Sequence, residues 1–218
     1  HSNGALYRPN KGSNTVGASL ALLYTPYYEQ TLRAEPTLRK KPFQQGLYLN
    51  FAAGLGAKTL LEDWLITQFG TPPSHPDYRT DRFRIYPAYS LKADVLWRYA
   101  RRWSSGLGVD AFYGTYAKRI EELDLQAHRT LHHSPFSLGL AAKHQAHYGR
   151  LALALSFGVY LYRHMGDNAK VNETPYYERI GVHYALPWLN NLTVGVNVKA
   201  HKTKADLTEL VLAMPIRL

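Results

Sequence analysis

The sequence feature that most constrains the fold is a strict alternation sustained over long segments. Leu192, Val194, Val196, Val198 and Ala200 alternate with Thr193, Gly195, Asn197, Lys199 and His201. Leu151, Leu153, Leu155, Phe157, Val159 and Leu161 alternate with Ala152, Ala154, Ser156, Gly158, Tyr160 and Tyr162. Side chains of a strand point alternately to opposite faces, so each segment has one apolar face and one small or polar face. Nine such segments can be marked, at 15–26, 46–60, 83–99, 105–118, 136–148, 151–163, 178–187, 192–201 and 206–217. At roughly 10 to 17 residues each they exceed the usual soluble strand and suit a tilted strand that crosses a bilayer.

The rest of the pattern points the same way. The chain has 218 residues, 45% of them hydrophobic, with 17 Tyr, 7 Phe and 4 Trp. It contains no run of about 18 apolar residues, so it has no transmembrane helix, whereas a transmembrane barrel needs only half-polar strands. Aromatic residues gather near segment ends (Tyr24, Tyr27, Tyr28; Trp97, Tyr99, Trp103; Tyr176, Tyr177; Trp188), as in the girdles of membrane barrels. Short connections at 101–104, 149–150 and 187–191 alternate with long ones at 63–82, 121–135 and 165–177. Outer-membrane barrels have that asymmetry, with short turns on the periplasmic side and long loops outside. The expected fold is therefore all-β, an antiparallel transmembrane β-barrel of the outer membrane. Bacterial single-chain barrels have even strand numbers. Nine segments therefore call for more strands ahead of His1, and the chain reads as one barrel domain over 1–218, the C-terminal part of a larger barrel. The stretch 27–45, with Arg33, Arg39, Lys40 and Lys41, is long for the short-turn side and reads as a basic insertion or linker.

Charge and composition narrow the partners. Absence of cysteine removes disulfides, Fe–S clusters and thiolate zinc sites. The ten histidines show neither His-x-His nor HExxH spacing, so no metal and no cofactor is expected. The formal net charge of +10 suits anionic lipid or lipopolysaccharide phosphates. The basic residues are dispersed and no nucleic-acid module is present, so nucleic acid is not an expected partner. Lys92, Asp94, Asp110, Lys143, Lys199 and Glu209 fall on the polar strand faces, where they can neutralise one another inside a narrow barrel. Asp110 and His183 form the pair whose proximity is worth testing.

The opening stretch HSNGALYRPNKGSN carries the chemistry. Ser2, Asn3, Gly4, Pro9, Asn10, Gly12 and Asn14 match, at the right spacing, a signature that runs approximately H-x-S-N-[GA], four residues, P-N-x-G-x-[EN]. The chain thus resembles the PagL-like lipid A 3-O-deacylases, the outer-membrane acyloxyacyl hydrolases, in a long form in which several strands follow the motif. That resemblance implies a serine hydrolase of the outer membrane, acting on lipid A, with Ser2 as nucleophile and a histidine as its general base. It places Asn14 where the family has an acid that orients the base, and makes Asn3 and Gly4 candidates for oxyanion or substrate positioning. Arg8 and Lys11 are candidates to hold lipid A phosphates, as are Arg82 and Lys118 near the outer strand ends.

The match has three departures from the family pattern, one of them topological: the compact family members are eight-stranded and end soon after the motif, whereas this chain runs on for about 200 residues. His1 adjoins Ser2 instead of standing two residues before it. Either His1 fills the variable position and the base lies upstream, or a bulge re-aims His1, or His1 is the last residue of a tag. Asn14 can orient an imidazole by hydrogen bonding but brings no charge. Two rivals follow: a catalytically inactive barrel that serves as a structural or accessory subunit with outer-membrane protein partners, and a passive pore.

Overall fold

A computed structural model describes Leu6 and residues 43–80, 83–166, 174–189, 192–202 and 204–218. Eight strands dominate it: β1 (Gly46–Lys58), β2 (Tyr86–Arg98), β3 (Trp103–Gly114), β4 (His133–Tyr148), β5 (Leu151–Met165), β6 (Tyr176–Leu186), β7 (Leu192–His201) and β8 (Lys204–Arg217). They form a closed barrel in sequence order, every neighbour antiparallel. Closure is made by β1 against β8, from Tyr48 opposite Arg217 to Ala57 opposite Thr208. The described barrel thus has eight strands and not nine. The segment 15–26 lies outside the described residues, and so does 27–42. The even count is complete without 15–26, because β1 is hydrogen-bonded on both sides, so the parity argument for a strand ahead of His1 loses its odd member.

The barrel is inside-out relative to a soluble protein. On β2, Ser90, Lys92 and Asp94 are buried in the lumen while Leu91, Val95 and Trp97 face outward, Leu91 at 65% exposure. The outward rows continue around the ring with Phe51, Leu107, Leu140, Leu155, Val182, Val196 and Leu210. Soluble monomers do not expose an apolar surface of this extent, whereas the outer face of a membrane barrel does. No helix among the described residues is long and apolar enough to cross a membrane, so any crossing is made by the strands. Ring closure gives every strand two pairing partners, which lipid requires because it offers no hydrogen bonds to an open edge.

Aromatic side chains frame this band. Tyr113 packs on Tyr89 (6.4 Å between centroids) and on Phe136 (5.0 Å) across neighbouring strands towards one end. Trp97, Trp103, Tyr148 and Trp188 are exposed at the other end. Tyr177, expected in a girdle, instead points inward and is fully buried, because it sits one position out of phase with outward Glu178 and Ile180. Its ring crosses the lumen over two glycines: a Cβ on Gly158 would lie 2.2 Å from the Tyr177 ring, and one on Gly139 2.7 Å from its hydroxyl.

The two ends differ. Long connections at 59–85, 115–132 and 166–175 lie at one end, and short ones at 99–102, 149–150 and 187–191 at the other. Gly149, at φ +62°, opens the two-residue β4–β5 loop in a backbone region that costs other residues energy. The long-loop end carries helix α1 (Leu61–Leu65), continued by a π turn (Ile66–Gly70), and helix α2 (Ala117–Gln126). Tyr116, Ala117 and Ile120 pack with Leu60, Tyr86, Met165 and Leu207 in an apolar cluster over the strand ends.

If lipid solvates the outer face, Leu210→Arg, near the middle of β8, will destabilise the barrel by about 2–4 kcal/mol in folding titrations into bilayers. A loss below about 1 kcal/mol would mean that the outward band is not membrane-embedded.

Candidate functional site

The lumen is built in layers set by register. At mid-height, Asp110 on β3 is fully buried and accepts hydrogen bonds from Lys143 Nζ (2.5 Å), Tyr177 Oη (2.7 Å) and Arg179 Nη1 (3.1 Å). Lys143 also pairs with Asp94 at 3.1 Å. Across the lumen, Glu209 accepts from Ser90 (2.6 Å), Asn197 (2.9 Å) and Lys92, and pairs with Arg179 Nε at 3.2 Å. Three cations, Lys92, Lys143 and Arg179, thus face three carboxylates, Asp94, Asp110 and Glu209. The expected mutual neutralisation of the inward charges is what the geometry shows. The exception is the pairing of Asp110 with His183: Asp110 is saturated by its cations, and His183 Nε2 meets Asn197 Oδ1 at 2.7 Å.

Towards the long-loop end, Asp206 pairs with Lys58 and with Lys199 (2.8 Å), and Lys199 donates to Tyr160 Oη (3.0 Å), which also contacts His201 (2.9 Å). Above it Tyr86 donates to Asp63 (3.0 Å), which pairs with Arg119 of α2 (3.0 Å), and Asp124 of α2 meets His133 at 2.8 Å. These contacts fasten the helical cap to the strand ends. A barrel filled by ion pairs at 0% and 1% exposure (Asp110, Glu209) is not an open passage, which argues against the passive pore.

The short-turn end is open and polar. A cavity of about 500 Å³ there is lined by Arg98, Ser104, Gln145, His147, Arg150 and Arg217, among others. Ser104 Oγ lies 2.9 Å from His147 Nε2 and 3.4 Å from Gln145 Oε1. On the opposite face of the same two strands, Ser105 Oγ lies 2.8 Å from His144 Nδ1, with Trp103 stacked on the imidazole at 5.4 Å. Both pairs have the contact distance of a nucleophile and its base. Neither histidine is oriented by a carboxylate among the described residues, so neither pair forms a triad. The alternation already places His144 and His147 on opposite faces of one strand. Their serine partners depend on the β3–β4 register, which pairs Ser105 with His144 and Ser104 with Gln145. The candidate residues His1, Ser2, Asn3, Gly4, Arg8, Lys11 and Asn14 lie outside the described residues. Among the described residues, no group of three or more His, Asp or Glu side chains could hold a metal ion.

Comparison with known families settles the kinship. A family model described as the acyloxyacyl hydrolase C-terminal domain matches residues 47–217, from β1 to the last residue of β8. The chain belongs to the acyloxyacyl hydrolase family. The PagL-like family resemblance therefore holds over the barrel. No curated protein matches the chain. The matched span coincides with the closed barrel, and the serine motif precedes it in the sequence.

Because Asp110 neutralises two buried cations at once, Asp110→Ala will cost about 3–5 kcal/mol in urea unfolding of the detergent-solubilised protein. Exchanging Lys143→Met in the same background will recover part of that loss. A double variant no more stable than Asp110→Ala alone would show that the cost is lost packing and not an uncompensated charge.

Proposed function

We propose that this acyloxyacyl hydrolase is an integral outer-membrane protein that removes an ester-linked acyl chain from lipid A by a Ser–His mechanism. The observation that carries the reading is the membership of a lipid-solvated barrel in a family named for hydrolysing acyloxyacyl esters, with a matching serine motif on the same chain. Ser2 attacks the acyl carbonyl carbon while a histidine base, His1 or one just upstream of it, takes the hydroxyl proton. The sugar hydroxyl leaves with that proton, and water then releases the fatty acid from the acyl-serine. Asn14 orients the imidazole, Asn3 and Gly4 position the developing oxyanion, and Arg8 and Lys11 meet the lipid A phosphates.

One observation favours a second reading. Among the described residues, the barrel closes its ring and fills its lumen with 46–217. It is therefore equally able to serve as an accessory subunit of an outer-membrane assembly.

Mass spectrometry of lipid A from cells that express the protein, beside cells that express Ser2→Ala, separates the two. Loss of one hydroxyacyl mass in the wild type alone establishes the deacylase and its nucleophile together. Identical spectra with both proteins correctly inserted would reject the enzyme for that lipid A and leave the accessory role.

A further inference from the structure

The open cavity at the short-turn end is strongly and one-sidedly cationic. Arg98, Arg101, Arg102, Arg150 and Arg217 lie at that mouth, whereas the described residues there, 43–48, 97–104, 145–152, 184–189, 192–195 and 213–218, hold no Asp or Glu. Three of these arginines line the cavity itself: Arg98 from β2, Arg150 from the β4–β5 turn and Arg217 from β8. They come from separate parts of the ring and converge on one space. Arg98 spends one Nη on the Arg101 carbonyl (2.7 Å), while its buried Nε has no partner among the described residues. Arg217 reaches only the amide oxygens of Gln44 and Gln45. The first carboxylate on the β2 lumen face is Asp94, four residues or roughly 13 Å deeper than Arg98, and it is already held by Lys143 (3.1 Å) and Asn50 (3.0 Å).

This end contrasts with the rest of the lumen, where Lys58, Lys92, Lys143, Arg179 and Lys199 each meet a carboxylate. Arg98, Arg150 and Arg217, gathered with no Asp or Glu beside them among the described residues, repel one another, and a fold spends stability to keep such charges together unless something anionic binds. All three are arginine, whose planar fork suits phosphate and carboxylate oxygens. A phosphate group brings several acceptor oxygens and more than one negative charge to three guanidiniums, which a single carboxylate does not. Ser104, Gln145 and His147 add neutral hydrogen-bonding groups on one wall, and Leu96, Ala185, Ala213 and Pro215 give the cavity an apolar side. At about 500 Å³ it has room for a phosphate and the group it esterifies.

We infer that the short-turn mouth of the barrel is a binding site for a phosphate group, held by Arg98, Arg150 and Arg217 beside the Ser104–His147 pair. The phosphate comes either from a lipid headgroup at that membrane face or from a phosphorylated molecule in solution. None of the residues lining the site belongs to the opening serine motif.

The test is calorimetric titration of inorganic phosphate into the full chain, in non-ionic detergent micelles and in phosphatidylcholine nanodiscs with and without a minority of phosphatidic acid. Saturable binding in micelles is expected, weakened about tenfold or more by Arg98→Gln and by Arg150→Gln and unchanged by Lys204→Gln at the opposite mouth. Arg150 lies in an exposed turn, so its exchange leaves the strand ladder intact, and retained heat-modifiable gel migration checks each variant's fold. Loss of the phosphate signal only in discs that contain phosphatidic acid identifies a lipid headgroup as the occupant. Persistence of the signal in those discs identifies a soluble phosphate. Absence of binding in micelles, or equal binding by the wild type and both arginine variants, overturns the site.

Discussion

The structure depends on charge neutrality inside the lumen. Each buried ion costs several kcal/mol to desolvate, and that cost is offset only when the partner geometry is good and the remaining hydrogen bonds are made. Asp110 and Glu209 satisfy the condition by each taking several donors, and Arg179 joins them by contacting both. The outward leucines cannot specify one register by themselves, since lipid solvates every leucine equally well. The ion pairs can: a slip of one residue on any strand would turn Lys92, Asp110 or Glu209 into the hydrocarbon. The lumen network therefore fixes the register, and the register fixes the face on which each histidine and serine stands.

That dependence explains the asymmetry of the two mouths. At the long-loop end, Asp63, Asp124 and Asp206 supply carboxylates, and the cations Lys58, Arg119 and Lys199 bind to them, so a helix can be packed down as a cap. At the short-turn end the described residues hold no Asp or Glu, and arginines line an open cavity. One end is closed by neutralisation and the other kept accessible by the lack of it, within the same eight-stranded ring.

Strand existence, length and facing could be read from single segments, because period-two alternation is local and a barrel's inverted polarity preserves it. The boundaries of 151–163 and 192–201 fall within two residues of β5 and β7 for that reason. Mutual neutralisation of the inward charges was also legible, since once the strands close into a barrel the face that carries Lys92, Asp94 and Asp110 becomes its lumen. The strand count was not: 15–26 alternates as the others do, and alternation says nothing about which sheet a strand joins. The partners were not legible either. Asp110 was matched in expectation with His183, whereas the register places Lys143 and Arg179 on it, and register belongs to pairs of strands. The Ser104–His147 contact escaped notice for the same reason, and Tyr177 because an aromatic near a strand end reads as a girdle until its parity is known.

The closed ring also constrains the opening motif. A segment that crosses a bilayer must pair its backbone on both sides or coil into a helix. Both flanks of β1 are occupied, by β2 and β8, and each remaining strand is occupied on both flanks as well. A strand upstream of β1 could therefore cross the membrane only within another sheet, and it could not widen this one. A catalytic serine borne on such a strand would work beside the 46–217 barrel and not within its wall.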